Sequence, residues 1–301
     1  MAQQEITVDP AALATALEQT AVRQQLSLPE AVEYQFKLID AIQRVLGSDD
    51  VFRDDYGQER SLGTGPMGGG GRPESTARVE RALATFLEVD DVSLVHGAGT
   101  GSIRAMLDAG IPRDARVILH VGPPYKTTAA ALENLRVPLE PTDFHDADAL
   151  REALRGPGPC ALFIQHVPHR MGDRYELRDV IALAREERGS ECPILVDDNY
   201  AAMRTPRLGV HEGADASAIS LFKLLAPTNV GFVAGTQLII DRIRSNLASA
   251  GSQVQGRDAM EALRSLVYAP VALAIQNQVV EELTVVINDL VSRGKLPLVH
   301  R

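Results

Sequence analysis

The chain has 301 residues, 45% hydrophobic and 23% charged, ordinary proportions for a globular protein with room for one large domain or a large domain and a smaller partner. A net charge of -10 argues against nonspecific binding to nucleic acid or anionic membrane, both of which need clustered Lys and Arg. Cys160 and Cys192 lack CxxC or metal-type spacing, the N-terminus lacks a signal-peptide pattern, and no apolar stretch is of bilayer length, so a cytoplasmic protein with buried thiols is expected.

Residues 10–48 carry helical periodicity with few apolar positions, interrupted at Leu28-Pro29. A polar passage follows, DDYGQERSLGTGPMGGGGRPES, with neither strand nor helix pattern; a stretch this long reads as a surface or active-site loop. From Ser75 helix and strand alternate. RVERALATFLEV is an amphipathic helix, VSLVH a short apolar strand and GSIRAMLDAG a helix stopped by glycine. The alternation repeats through RVILHV, ALENLRV, PLEPTDF, ADALREALRG, CALFIQHV, LRDVIALAREER and PILVDD. Near-continuous apolar strands are covered on both faces, and short connections favour right-handed crossovers. ASAISLF and NVGFVAGT add two strands. From Gln237 the chain is mostly helical, through QLIIDRIRSNLAS and a long apolar-striped segment from Arg257 to Ser292. The expected fold is α/β, a doubly wound and mainly parallel sheet. Its expected divisions are an N-terminal helical arm over residues 1–60, a large domain over 61–250 and a C-terminal helical segment over 251–301.

Ligands of an open α/β sheet bind beyond the carboxyl ends of its strands, and four such ends carry unusual residues. GAGTGS, Gly97 to Ser102, joins a strand to a helix. Its glycines admit an anion to the backbone, the helix N-terminus favours phosphate, and the hydroxyls of Thr100 and Ser102 add donors. The same run also serves as a plain tight turn, or as the nucleotide loop of a SAM or NAD enzyme. The nucleotide loop calls for a carboxylate at the end of the next strand, and HVGPPY has none. Tyr125 either stacks on a planar ring above that loop or caps a helix at the surface.

Asp197 closes the apolar run of LVDDNYA. A buried carboxylate needs a cation or good hydrogen bonds. A protonated pyridine nitrogen suits it, and the ring then becomes an electron sink; a turn cap is the alternative. Asp198 would point the other way, as a solvent or structural residue. Tyr200 is placed to donate to the ring's phenolate oxygen. In SLFKLLAPTNVGFVAG, Lys223 has apolar neighbours, a setting that makes an amine nucleophilic unless it snorkels to water. Ser220, three residues earlier, can reach the same phosphate. The order of loop, tyrosine, aspartate and lysine joins the four into one site.

These segments resemble the fold-type I pyridoxal-phosphate (PLP) enzymes, from about Arg72 to Pro270. The likeness is nearest the cystathionine synthase/lyase-like branch and a bacterial aminotransferase-like group, and the runs that carry it are GAGTGSIRA, DDNYA, FKL and GSQVQG. The resemblance implies PLP as cofactor, its phosphate on Ala98, Gly99 and Thr100, with Tyr125 stacked on the ring. Asp197 would pair with the pyridine nitrogen and Lys223 would be the Schiff-base lysine. It implies an amino-acid or amine substrate and an aminotransferase, with a β/γ-elimination lyase or synthase, or PLP binding without turnover, as alternatives. It also implies a homodimer with a shared active site, to which Gly251 to Gly256 and Gly68 to Arg72 contribute from the neighbouring subunit. Phe222 stands where the cystathionine branch usually has threonine, so a phosphate contact is expected to be lost. In the family a C-terminal lobe of about a hundred residues usually supplies the arginine that clamps the substrate carboxylate. This chain ends at LPLVHR, and no residue here is given that role.

His96, His120, His166 and His169 come from different strand ends without ligand spacing, so no metal is expected. His166 is the histidine expected nearest the cofactor. Arg170 is a better candidate than Arg104 for holding substrate. The Leu/Val stripe over 263–291 reads as helical core or dimer surface.

Overall fold

Helix α1 spans Leu28–Leu46, so the interruption at Leu28-Pro29 is a helix start. Proline fits the first turn, where an N–H is not needed, and Ser27 forms a capping box with Glu30. The computed structural model describes residues 25–47, 72–168, 173–226, 229–247 and 252–294; the expectations placed on Gly68 to Gly71, His169, Arg170 and Gly251 lie outside them. Helix α2 (Glu74–Leu87) takes in the last residues of the glycine-rich passage and stops on Glu88, which is left-handed at φ 55°.

The chain then runs β1 (Asp91–His96), α3 (Ala98–Gly110), β2 (Arg116–His120), α4 (Lys126–Leu135), β3 (Leu139–Thr142), α5 (Ala147–Arg155), β4 (Cys160–Gln165), α6 (Leu177–Arg188) and β5 (Ile194–Asp197). After β6 (Ala216–Ser220) come a 3-10 turn (Leu221–Leu224), β7 (Val230–Gly235), α7 (Gln237–Asn246) and α8 (Gly256–Ser292). The strands form one sheet in the order β1-β7-β6-β5-β4-β2-β3. Strands β2 to β6 are parallel, while β7 runs antiparallel to both β6 and β1. This is the doubly wound, mainly parallel sheet that the alternation predicts. The reversal of β7 follows from its link to β6, which is too short for a helical crossover.

Strand order also removes the dinucleotide reading of GAGTGS. Strands β7, β6, β5 and β4 stand between β1 and β2, so the two strands such a loop would need as neighbours are apart. Side chains alternate between the faces. On β2, Val117 and Leu119 pack with Ile103, Met106 and Ile240 of α3 and α7, while Ile118 packs with Leu150, Leu154 and Ile181 of α5 and α6. Helices α1, α2 and α8 share a further core through Leu38, Leu83, Phe86, Leu263 and Leu266. Helix α8 is buried on one side up to Ala274; beyond it Val279, Val280, Leu283, Val285, Val286 and Ile287 are exposed, so its apolar stripe is core only in its first half. No helix among the described residues is long and apolar enough to cross a membrane.

Candidate active site

Strand β1 enters α3 through two left-handed residues, Gly97 at φ 93° and Ala98 at φ 51°. Glycine adopts that conformation freely and alanine does not, and such strain gathers at functional turns. No side chain caps this N-terminus. The Ala98 N–H donates to the Asn229 carbonyl, but the N–H groups of Gly99 and Thr100 have no acceptor among the described residues. They stand at a cavity of about 180 Å³ at the carboxyl ends of the strands. Its walls bring together Ala98, Gly99, Thr100, Tyr125, Asp197, Tyr200, Ser220 and Lys223, eight of the residues that the sequence offered for catalysis or cofactor binding. Ser102 is different. Its hydroxyl is buried and donates to the Gly99 carbonyl at 3.1 Å, so it serves the turn and not an anion.

Asp197 ends β5 at 8% exposure. It accepts the Asn199 N–H at 3.0 Å, and among the described residues no cation stands within ion-pairing distance. Burial pushes its carboxyl up to about 6; the hydrogen bonds from Asn199 work against this and the charge of Asp198 adds to it. Turn cap and cavity wall thus meet in one residue. Asp198 is fully buried, which settles its two readings in favour of structure: it pairs with His166 Nδ1 at 2.5 Å and accepts the Gly209 N–H at 2.9 Å. His166, expected nearest the cofactor, is turned toward Asp198 and is not part of the cavity wall.

Lys223 sits in the 3-10 turn after β6. The apolar residues beside it in sequence enclose its amine only in part: Leu221 and Leu224 point into the core, while Phe222, 55% exposed, has its ring centre 5.5 Å from Nζ. Lys223 is half-buried, and its Nζ donates to Tyr200 Oη at 2.7 Å and lies 4.5 Å from that ring's centre. Ser220, buried at the end of β6, forms the floor beside Gly99. Tyr125 is the N-cap residue of α4, without a side-chain cap hydrogen bond, and it also lines the cavity.

Four further wall residues escaped the sequence reading: Thr127, Gln165, Val167 and Asn199. Gln165 pairs in register with Asp197. A polar residue closing the apolar run of β4 was the signal for it. The Asn199 Oδ1 is buried without a donor. The described part of GSQVQG is seated on its own chain, with Gln253 O against His96 Nε2 at 3.1 Å and Thr76 Oγ donating to Val254 O at 2.7 Å. Among the described residues His120, Asp143 and His145 come close enough to suggest a metal site. One nitrogen of each imidazole takes a backbone N–H, while His120 Nε2 has no hydrogen-bond partner among the described residues and lies 3.4 Å from Asp173 Oδ1. His120 Nδ1 accepts the Phe144 N–H at 3.2 Å, and His145 Nε2 accepts the Arg174 N–H at 2.8 Å while its Nδ1 contacts Asp143.

No family model matches the chain. It is 41% identical over 266 residues to the uncharacterized protein YhfS of Escherichia coli strain K12, which covers 88% of this chain and 71% of that one. The crystal structure of the pyridoxal-5'-phosphate-dependent protein YhfS from Escherichia coli matches with a TM-score of 0.81 at 39% identity, over 89% of this chain and 71% of that one. A cystathionine gamma lyase from Micromonospora echinospora shares the fold at 18% identity and a TM-score of 0.64, over 79% of this chain and 65% of that one.

Proposed function

The chain belongs to the fold-type I family of pyridoxal-phosphate-dependent enzymes, and from that premise we propose that it holds the cofactor at the strand ends and turns over an amino acid or amine through Lys223. Asp197 carries this reading. Among the described residues it is a buried carboxylate without a cation beside it, in the same wall as a lysine amine and a helix N-terminus with two N–H groups that have no acceptor. Each element suits a different part of the cofactor. The N–H groups of Gly99 and Thr100, with the Ser220 hydroxyl, suit the phosphate, and Tyr125 suits the ring face. Asp197 suits the protonated ring nitrogen, and Tyr200 the phenolate oxygen. The floor stays open because residue 99 has no side chain: a Cβ there would stand 2.9 Å from Ser220 Cβ.

When bound, the cofactor supplies a sink for the electron pair left on the substrate α-carbon. Asp197 accepts the N–H of the ring nitrogen and so keeps that nitrogen protonated. Tyr200 takes the hydrogen bond of the Lys223 amine and holds it at the cavity. With the substrate amine at the cofactor, the free Lys223 Nζ would take the proton from Cα and return it. We take the reaction to be transamination; β- or γ-elimination starts from the same proton removal and is separated by its products.

With added PLP the purified protein is expected to show a violet-region absorption band that borohydride fixes. Lys223→Ala should lose that band and lower turnover by at least ~10²–10⁴-fold, the share of general acid–base catalysis. A band that survives unchanged in Lys223→Ala would sink the assignment. Keto acid with pyridoxamine phosphate marks transamination, and keto acid with ammonia marks elimination. A bound cofactor whose spectrum no amino acid alters marks binding without turnover.

A further inference from the structure

Asn199 lies two residues beyond Asp197 and is itself buried. Its backbone N–H donates to the Asp197 carboxylate at 3.0 Å, and its side-chain amide favours the charged form of that carboxylate. An amide has a donor end and an acceptor end. Here the acceptor, Oδ1, has no donor among the described residues. It lies against Gly99, where an added Cβ would stand 2.9 Å from it. A buried acceptor without a donor is costly, so this orientation needs a cause. Reversing the amide would set its oxygen against a carboxylate, acceptor facing acceptor. The charge of Asp197 therefore fixes the amide's direction, and the bare backbone of Gly99 leaves it room.

We propose that Asn199 is the positioning residue of the cofactor site, gripping Asp197 so that its ionised carboxylate faces the cavity, and that Gly99 lacks a side chain partly to admit this amide. The proposal rests on reading Asp197 as the partner of the cofactor's ring nitrogen. It gives Gly99 a second duty besides the approach of an anion to the backbone. The surroundings of Asp197 leave Asn199 as its main hydrogen-bond support. Asp198 on the same strand end opposes ionisation, and His166 at the end of β4 favours it. Lys223, Tyr200 and Tyr125 are the other titratable groups around the cavity. Strand β6 and the first turn of α3 present Ala218, Gly99 and Thr100, none of which titrates. Hydrogen bonds to the ionised form favour it, so a loosened grip moves the carboxyl's midpoint to higher pH.

The test follows the Asp197 carboxyl carbon by carbon-13 NMR across pH in the full chain without cofactor, its signal assigned by its loss in Asp197→Asn. The pH dependence of PLP affinity is read in parallel from the absorption band. The wild-type midpoint should lie at about 6. Asn199→Ala should raise it by roughly one pH unit. Gly99→Ala, which displaces the amide, should move it the same way, and Asn199→Ser, which keeps a donor, should move it less. The acid limb of PLP affinity should shift with the midpoint in each variant. An unmoved midpoint in folded Asn199→Ala overturns the proposal even where PLP binds normally. If that variant does not fold, the isosteric Asn199→Asp replaces it: it loses the donor and adds a charge, so an unmoved midpoint there is equally fatal. A wild type without an absorption band would instead overturn the cofactor reading, which the titration does not depend on.

Discussion

Glu80 and Asp197 are both carboxylates closed off from water, one against the edge strand β1 and the other at the end of the central strand β5. Glu80, on α2 and 2% exposed, is ringed by Arg72 and Arg244 and accepts the Leu94 N–H at 2.8 Å. Arg244 also grips Asp91 at the start of β1, so the cluster ties α2, β1 and α7 together. Asp197 has, among the described residues, only the donors of Asn199. Burial raises the proton affinity of both groups; two guanidinium groups counter it at Glu80, and none does at Asp197. A satisfied carboxylate holds the fold together. An unsatisfied one in a cavity wall is a place for a cation that the chain itself does not supply.

That contrast can be broken experimentally. Glu80→Ala strands the two arginines, and losing one partner of a buried pair costs about 3–5 kcal/mol. Urea unfolding of the cofactor-free chain should register that loss; a loss under about 1 kcal/mol would mean that the cluster does not hold the fold.

Asp197→Asn should act in the opposite direction. The folded carboxyl titrates at about 6, above its ordinary value, so its contribution to stability is full only below that ordinary value and is lost as pH rises through 6. Removing the charge should therefore stabilise the cofactor-free chain at neutral pH by on the order of 3 kcal/mol and flatten its pH dependence between about 4 and 7. Unfolding midpoints of both proteins at acid and neutral pH give the answer, and a variant less stable than wild type at neutral pH would contradict it. The same substitution should weaken PLP binding, which Glu80→Gln should leave near wild type.

The smallest change expected is from Tyr200→Phe. It removes the hydroxyl that Lys223 donates to and that is proposed to meet the phenolate oxygen; at about 1 kcal/mol for each hydrogen bond, PLP affinity should fall roughly five- to thirtyfold. A loss of several hundredfold in titrated affinity would show that Tyr200 does more than these two contacts.

Much of the site was legible as strand ends. Asp197 closes an apolar run and Lys223 follows another, and both face the cavity for the reason that parallel strands deliver their carboxyl ends to one edge. Asn199 was not legible. Its neighbours in the sequence are a second aspartate and a tyrosine, and what makes it matter is the missing Cβ of Gly99, which arrives from another strand end. Asp198 was legible as one of two readings, solvent or structure, and the partner waiting on its side is His166 rather than water; that pairing turns His166, expected near the cofactor, away from the cavity wall.

Local chemistry settled the elements of this protein: Ser27 and Pro29 start α1, Gly97 permits the turn into α3, and two-sided apolar runs make a covered parallel sheet. These depend on a few adjacent residues, so a linear pattern contains them. Only the tertiary structure decided that β7 runs backward, that β1 stands away from β2, and that one buried carboxylate is paired with arginines while another has no cation beside it among the described residues. Those outcomes depend on which strand lies beside which and on charges brought together from distant segments, and no short-range pattern specifies either.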